Sequence, residues 1–421
     1  MVVSKAFCGL DFGTSNSALC AGRSRASMRI IPLEKDNATI PSAIFFNTEE
    51  GRVVFGRSGL SEYRTGYEGR LLRALKSILG SELIDEATQV GNQKKSFREI
   101  IGIFISHIKD KAELELQTSL TDIVMGRPVH FVDEDATADQ RAENELRGIA
   151  EKAGFKNIHF EYEPIAAARD YESTNEKEEI VLVFDIGGGT SDFSVVRLSP
   201  EAREKADRAG DILGNHGVHI GGTNFDQKLS LHTVMKDLGY QTRLRNGLDM
   251  PSASYFSFST WHLINTLYNQ KTISGLKTLL PQAEERDLLE RFIFMLNQQR
   301  GHELAELVEI AKIDLSEKPE TILDASKFEQ GWNRQIHSAE LQSSIGQDMD
   351  KIIATAALTV TEVADIKLSD INTIFLTGGS TGLPGFEKRV KSVFPEAKLV
   401  FGDRFSSVAK GLGFAAAKIF S

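Results

Sequence analysis

The chain has 421 residues, 41% of them hydrophobic and 26% charged, with a formal net charge of −10. That length exceeds what one hydrophobic core usually covers, so two or more domains are expected. The acidic balance argues against nucleic acid or an anionic membrane as a main partner, and no apolar run approaches the length of a bilayer span.

The first element is an apolar strand, Phe7-Cys8-Gly9-Leu10-Asp11-Phe12, running into Gly13-Thr14-Ser15-Asn16. Lys5 interrupts the opening apolar residues and no cleavage site follows them, so no signal peptide is expected. The two cysteines, Cys8 and Cys20, fall on the strands either side of this turn. Small buried hydrophobes in a reducing, cytoplasmic compartment are expected, with a regulatory disulfide as the alternative. Strand signals continue through Met28–Ile31 and Thr39–Phe46. The spacing of Leu71, Leu72, Leu75 and Ile78 predicts an amphipathic helix from near Tyr67 to Gly80. Ile100 to Leu120 is also helical in period. Ile123–Met125 and Val129–Phe131 read as strands bracketing Gly126-Arg127-Pro128.

Thr137 to Ala153 reads as a helix opened by a Thr137–Gln140 capping box and stopped by Gly154. Ile158–Phe160 is a short strand. Glu163-Pro164 opens a helix whose Ala166-Ala167-Ala168 would permit close packing on another helix. Polar Ser173–Glu179 reads as a hinge into a second lobe.

The second lobe opens by repeating the first motif. Val181-Leu182-Val183-Phe184-Asp185-Ile186 is an uninterrupted apolar run, as expected of a strand buried on both faces. Gly187-Gly188-Gly189-Thr190 follows, and Val195-Val196 supplies a returning strand. Glycines in such a hairpin leave consecutive N–H groups bare to converge on an anion, and Thr and Ser hydroxyls add donors. An Asp at the strand end would repel a phosphate unless a cation lay between them, so the pattern implies Mg²⁺ held through water. One such turn is compatible with an ordinary Gly-rich hairpin. Two, with matched Asp and Thr, point to two related lobes sharing one phosphate chain.

Later in the chain, Leu304, Leu307, Val308, Ala311 and Leu315 define the buried face of a helix, with Glu309, Lys312 and Ser316 opposite. Ile371–Leu376 is a buried strand leading into Thr377-Gly378-Gly379-Ser380. Gly411-Leu412-Gly413 with Ala415-Ala416-Ala417 marks a second small-residue helix. His216 and His219 form no metal set with nearby Cys or His.

In this order the motifs resemble the nucleotide-binding domain of DnaK-type heat-shock chaperones, within the actin and sugar-kinase ATPase superfamily. The carriers are Asp11 to Ser15, Lys76-Ser77-Ile78-Leu79-Gly80, Glu163-Pro164 with its alanines, Asp185 to Asp192, Val308 to Ser316, and Thr377 to Ser380. The resemblance implies an α/β, actin-like ATPase fold with two duplicated, ribonuclease H-like lobes, each with an accessory subdomain. Lobe I would span 1–172, with its accessory part at about 46–117. Lobe II would span 173–398, with an enlarged lid at about 228–318, and 399–421 would return to lobe I as a helix.

The implied ligands are ATP or ADP with Mg²⁺. Asp11 and Asp185 would hold the metal. Gly13, Thr14, Ser15 and Asn16 would bind phosphate from one lobe, and Gly187, Gly188, Gly189 and Thr190 from the other. Lys76 and Glu163, with Asp185 and Thr190, would carry hydrolysis. Gly222, Glu309, Lys312, Ser316, Gly378, Gly379 and Ser380 would bind ribose and adenine. Taken alone, Lys76 reads as a solvated helix charge and Glu309–Lys312 as a surface pair.

Ile313 and Gly382 replace the arginines that stack on adenine in the chaperones, and Thr223-Asn224 replace acidic residues after Gly222. Tyr255, Phe256, Phe258, Trp261 and Tyr268 fall in the enlarged lid, as its core or as a partner surface. A β-rich peptide-binding domain would follow the last helix in the chaperones; here Ser421 is the last residue. The resulting expectation is a chaperone-like ATPase with slow hydrolysis, lobe closure and a protein partner or client. The alternatives are a nucleotide-sensing interaction protein without significant turnover and a small-molecule kinase of the same superfamily.

Overall fold

The computed structural model describes residues 5–35, 37–132, 135–172, 175–202, 205, 208–261, 263–402 and 406–421. Two sheets of one design organise it. The first runs Asn157–Tyr162, Leu120–Arg127, Ala6–Phe12, Asn16–Gly22, Arg29–Ile30, with Ile40–Pro41 also paired to Asn16–Gly22. The second runs Lys398–Phe401, Thr373–Thr377, Glu179–Ile186, Ser191–Leu198, Ile212–Val218. In each, the Asp-bearing strand pairs parallel with one neighbour and antiparallel with the strand after its own turn. Asp11 and Asp185 are each the penultimate residue of their strand. The sequence repeat is therefore a repeat of topology, and both carboxylates emerge at the same end of equivalent sheets.

Two small-residue helices, Glu163–Glu172 and Ser407–Phe420, cross between the sheets. A Cβ on Gly411 would stand 1.8 Å from the Ala166 carbonyl oxygen, and one on Gly9 2.2 Å from the Gly413 nitrogen. Backbones this close leave no room for a side chain, so packing dictates glycine at both positions. The crossing cluster, with Phe7, Ala166, Val183 and Leu412, joins one core containing Phe12 and Phe104 to another containing Phe184, Phe225 and Phe292.

Each sheet carries an added unit beside its cleft edge. On the first side, Arg52–Phe55, Ala43–Asn47 and Gly69–Arg73 form a three-stranded sheet packed with helix Gly56–Arg64. On the second, Ala253–Ser259, Gln270–Leu279, Arg286–Asn297 and Gly301–Glu317 build a helical lid. Its aromatics divide: Tyr255 and Phe258 are fully buried, whereas Phe256 is 43% exposed.

Several local readings yield to their neighbours. The helix expected from Tyr67 to Gly80 is a strand, Gly69–Arg73, captured by the edge of Ala43–Asn47, then a 3-10 turn, Leu75–Ile78. Ala74 between them has φ 55°, a left-handed conformation that no continuous helix contains. The helix expected at Ile100–Leu120 runs Phe97–Leu116, and Leu120 instead begins the next strand. That strand is continuous through Arg127, and Val129–Phe131 forms no second one: Pro128 cannot donate, and the Phe131 N–H goes to Asp139. The helix Ala136–Lys152 is capped by Asp135, whose carboxylate accepts from the N–H groups of Thr137 (3.0 Å) and Ala138 (2.9 Å); Thr137 and Gln140 form no capping box. Register sets Cys20 opposite Gly9 and Cys8 opposite Ala21, so the two thiols face opposite sides of the sheet and both are free. Of the expected hinge, Ser173 and Thr174 lie outside the described residues, and Glu179 already belongs to a strand.

Candidate functional site

The two Gly-rich turns meet. A Cβ on Gly188 would lie 1.8 Å from Ser15 Oγ, so the bare backbone of one turn rests on the hydroxyl of the other. Gly13 has no room either, since its Cβ would meet the Asn16 carbonyl at 2.2 Å. Ser42 fastens the first turn: its N–H donates to the Ser15 carbonyl (2.9 Å) and its hydroxyl to the Gly13 carbonyl (2.6 Å). In the second turn, the Gly187 N–H donates to the Thr190 carbonyl (2.9 Å). The carbonyls of Gly187 and Gly188 accept from the N–H groups of Gly222 (2.9 Å) and Thr223 (2.7 Å), which open helix Gly222–His232. Thr190 Oγ1 lies 3.0 Å from Asp192. Thr14 and Gly189 stand partly exposed beside this contact.

Four charged groups gather at the turns. Lys76 Nζ is 2.5 Å from Glu163 Oε1, and both side chains are nearly buried. Burial pulls the Lys76 pKa down, but Glu163, Asp11 and Asp185 outweigh it and hold the ammonium above its ordinary value. Burial and then Glu163 push Asp11 up to about 7, against the pull of Lys76. Burial, followed by Glu163, Asp192 and Asp11, pushes Asp185 up to about 8. One ammonium does not offset this much negative charge, so the site favours an added cation or retained protons.

The other end of the cleft is built differently. Gly378 sits at φ 85°, and a Cβ there would meet the Ile186 carbonyl at 2.3 Å, so only glycine fits. It launches the turn Gly379–Gly382, which places Ser380 beside Gly222: a Cβ on Gly222 would be 3.1 Å from Ser380 Oγ and 3.5 Å from Lys312 Nζ. Gly222, Lys312 and Ser380 thus converge. Lys312 already has partners, however. It pairs with Asp226 at 2.7 Å and donates to the Gly222 carbonyl at 3.2 Å. Burial pushes Asp226 up to about 6, with Lys312 pulling the other way. Glu309 is half-buried on the preceding turn of the same helix. Ser316 turns its hydroxyl onto the Ile313 carbonyl of its own helix (2.6 Å), and Ile313 is 55% exposed.

Sequence reasoning missed Asp226, Arg73, Trp261 and His302 as parts of this cleft. Asp226 had a signal: it stands four residues after Gly222 on one helix face, opposite a lysine that needs a counter-charge. The others are joined only by tertiary contact.

Equivalent sheets, an Asp at each Gly-rich turn and crossing small-residue helices define the actin-type ATPase fold. A family model described as "Hsp70 protein" matches residues 7–245 and 293–417, and the chain belongs to the Hsp70 family, a family of ATP-binding chaperones. It is 24% identical over 392 residues to "Chaperone protein DnaK" of Thermosipho africanus, which covers 92% of this chain and 54% of that protein. Against "Chaperone protein DnaK" of Thermotoga maritima it is 24% identical over 393 residues, covering 92% and 55%. The chain therefore spans about half the length of the curated relatives it matches. The family match passes over 246–292, the heart of the lid. Among the described residues no helix is long and apolar enough to cross a membrane.

Proposed function

We propose that this chain binds ATP with Mg²⁺ between its two Gly-rich turns and hydrolyses it slowly, and that lobe closure passes the nucleotide state to a protein partner or client. One observation carries the reading: Gly188 rests on Ser15, and Asp11, Asp185, Lys76 and Glu163 gather beside that contact. Two carboxylates in one cleft, both pushed toward neutrality, suit a hard cation of the Mg²⁺ type, which retains most of its water. Among the described residues no three His, Cys, Asp or Glu side chains are placed to hold a metal ion together, so Asp11 and Asp185 would hold it with water and phosphate oxygens completing the shell. When bound, the cation would neutralise phosphate charge.

The chain's own residues would do the rest. N–H and hydroxyl groups of Thr14, Ser15 and Asn16, with those of Gly187, Gly188, Gly189 and Thr190, would bind phosphate oxygens. Lys76 would set a positive charge beside the terminal phosphate. Glu163, with Asp185, would orient the attacking water. Gly222, Glu309, Lys312, Ser316, Gly378, Gly379 and Ser380 would line the nucleoside end. Hydrolysis of this kind depends on positioning and electrostatics.

A reading without significant turnover draws on one observation, the pairing of Lys312 with Asp226, which engages the Lys312 ammonium before any nucleoside arrives. Steady-state phosphate release separates the readings. Hydrolysis predicts turnover that falls sharply in Asp185→Asn and does not need an added sugar. Equal rates in wild type and variant would contradict it, and ADP formation that needs a sugar and releases no free phosphate would favour a kinase.

A further inference from the structure

The cleft is bridged above the charged cluster by residues with no assigned role. Arg73 ends the strand Gly69–Arg73 of the first accessory sheet. Its guanidinium lies over the ring of Trp261, 4.1 Å from the centroid. Trp261 belongs to the helical lid of the other lobe, within the stretch 246–292 that the family match passes over. Burial lowers the Arg73 pKa while the guanidinium stays charged, and Glu309 and Asp226 across the cleft pull it back up without an ion pair to Arg73 among the described residues. A guanidinium over an indole face is attracted by the ring's electron density, the more so when water is excluded.

Trp261 is itself fixed. His302 packs edge-on against its ring at 4.5 Å and shares a hydrogen bond with its carbonyl at 3.2 Å. Tyr63, again from the first lobe, reaches the other nitrogen of His302 at 3.2 Å. Arg64 pairs with Glu306 alongside.

What gives the stack consequence is its position in the chain. Arg73 is three residues before Lys76. Ala74, in the left-handed region, and the short turn Leu75–Ile78 join them. That link is too short and too bent to absorb a displacement, so moving Arg73 moves the backbone that aims Lys76 at Glu163. From this geometry we propose that Arg73 is a positioning residue: its stack on Trp261 ties the lid to the Lys76 turn and aligns Lys76 only when the lobes are closed. The proposal rests on the nucleotide reading given above.

Trp261 and Trp332 are the chain's two tryptophans, so Trp332→Phe leaves Trp261 as the only one. If that variant does not fold, the difference between wild type and Trp261→Phe isolates the same signal. Saturating ATP should change Trp261 emission. Arg73→Met should abolish the change, Arg73→Lys should keep it, and Lys76→Ala should weaken it, because coupling between two sites is reciprocal. In turnover, Arg73→Met and Trp261→Leu should lower kcat about tenfold with KM within about threefold, and Arg73→Lys should recover most of the loss. Unchanged emission in a protein shown by calorimetry to bind ATP overturns the proposal, as does parental kcat in Arg73→Met. An emission response that needs Arg73 and Lys76 in a protein that never turns over sinks the hydrolysis reading and upholds the positioning role. A chain that binds no ATP overturns both.

Discussion

The phosphate end and the nucleoside end of the cleft are made of different material. The proposed phosphate end is backbone: two turns of matched topology, with Gly13 and Gly188 at positions where even a Cβ collides. The proposed nucleoside end has one such turn, at Gly378, and is otherwise side chain: a lysine already paired, a serine bonded to its own helix, and an exposed Ile313. Backbone geometry of the first kind tolerates little change. Side-chain surfaces of the second kind can be rebuilt while the fold persists. The proposed phosphate end repeats one plan in both sheets, and the proposed nucleoside end rests largely on single side chains.

Removing the charge that serves the phosphate end should have the largest effect. Lys76→Ala is expected to lower turnover by about 10²–10³, the usual result of deleting one electrostatic contact to the transition state. A loss below threefold in phosphate release would mean that the two ends matter alike.

At the nucleoside end, Asp226→Ala leaves Lys312 largely buried with only the Gly222 carbonyl. Breaking such a pair costs roughly 3 kcal/mol, so thermal unfolding should fall by several degrees and ATP affinity should weaken with it. Unchanged melting would show that Lys312 finds another partner.

The lid contact adds a pH dependence. Burial lowers the His302 pKa to about 4, with the Trp261 carbonyl raising it and Arg73 lowering it further. The folded state therefore prefers neutral His302. That stability is complete above the unfolded pKa near 6.5 and is lost as pH falls from there toward 4. Thermal unfolding between pH 7 and pH 5 should show the loss, and His302→Gln should flatten it. An identical slope in the variant would remove His302 from the account.

Ile313→Ala should matter least. An exposed side chain contributes within about 0.5 kcal/mol to stability. ATP affinity should shift only a few-fold, and a larger loss would show that Ile313 packs on the base.

The same contrast decides what was legible in the sequence. Asp11 and Asp185 were readable because an apolar run, an Asp and a Gly-rich turn recur, and each is local. The crossing helices were readable from small residues at Ala166 to Ala168 and Gly411 to Gly413. The motif marks Lys76 but not what carries it: Leu71, Leu72, Leu75 and Ile78 fit helical spacing, and only the open edge of Ala43–Asn47 makes a strand of the first two and leaves Leu75 and Ile78 in a 3-10 turn. Asp135 and Thr137 are both good cap residues two positions apart, and only the folded backbone shows that Asp135 takes the role. Arg73 and Trp261 carry no local signal, being 188 positions apart in chain number and joined only by tertiary contact.

The central claim is that Asp11 and Asp185 hold a hydrated cation against a nucleotide's phosphates. Calorimetric titration of ATP, with Mg²⁺ and with a chelator, tests it most directly. The account predicts at least about tenfold weaker binding without the cation, and a difference that vanishes when both Asp11→Asn and Asp185→Asn are present. The same ATP affinity with and without Mg²⁺ in the wild type would contradict it.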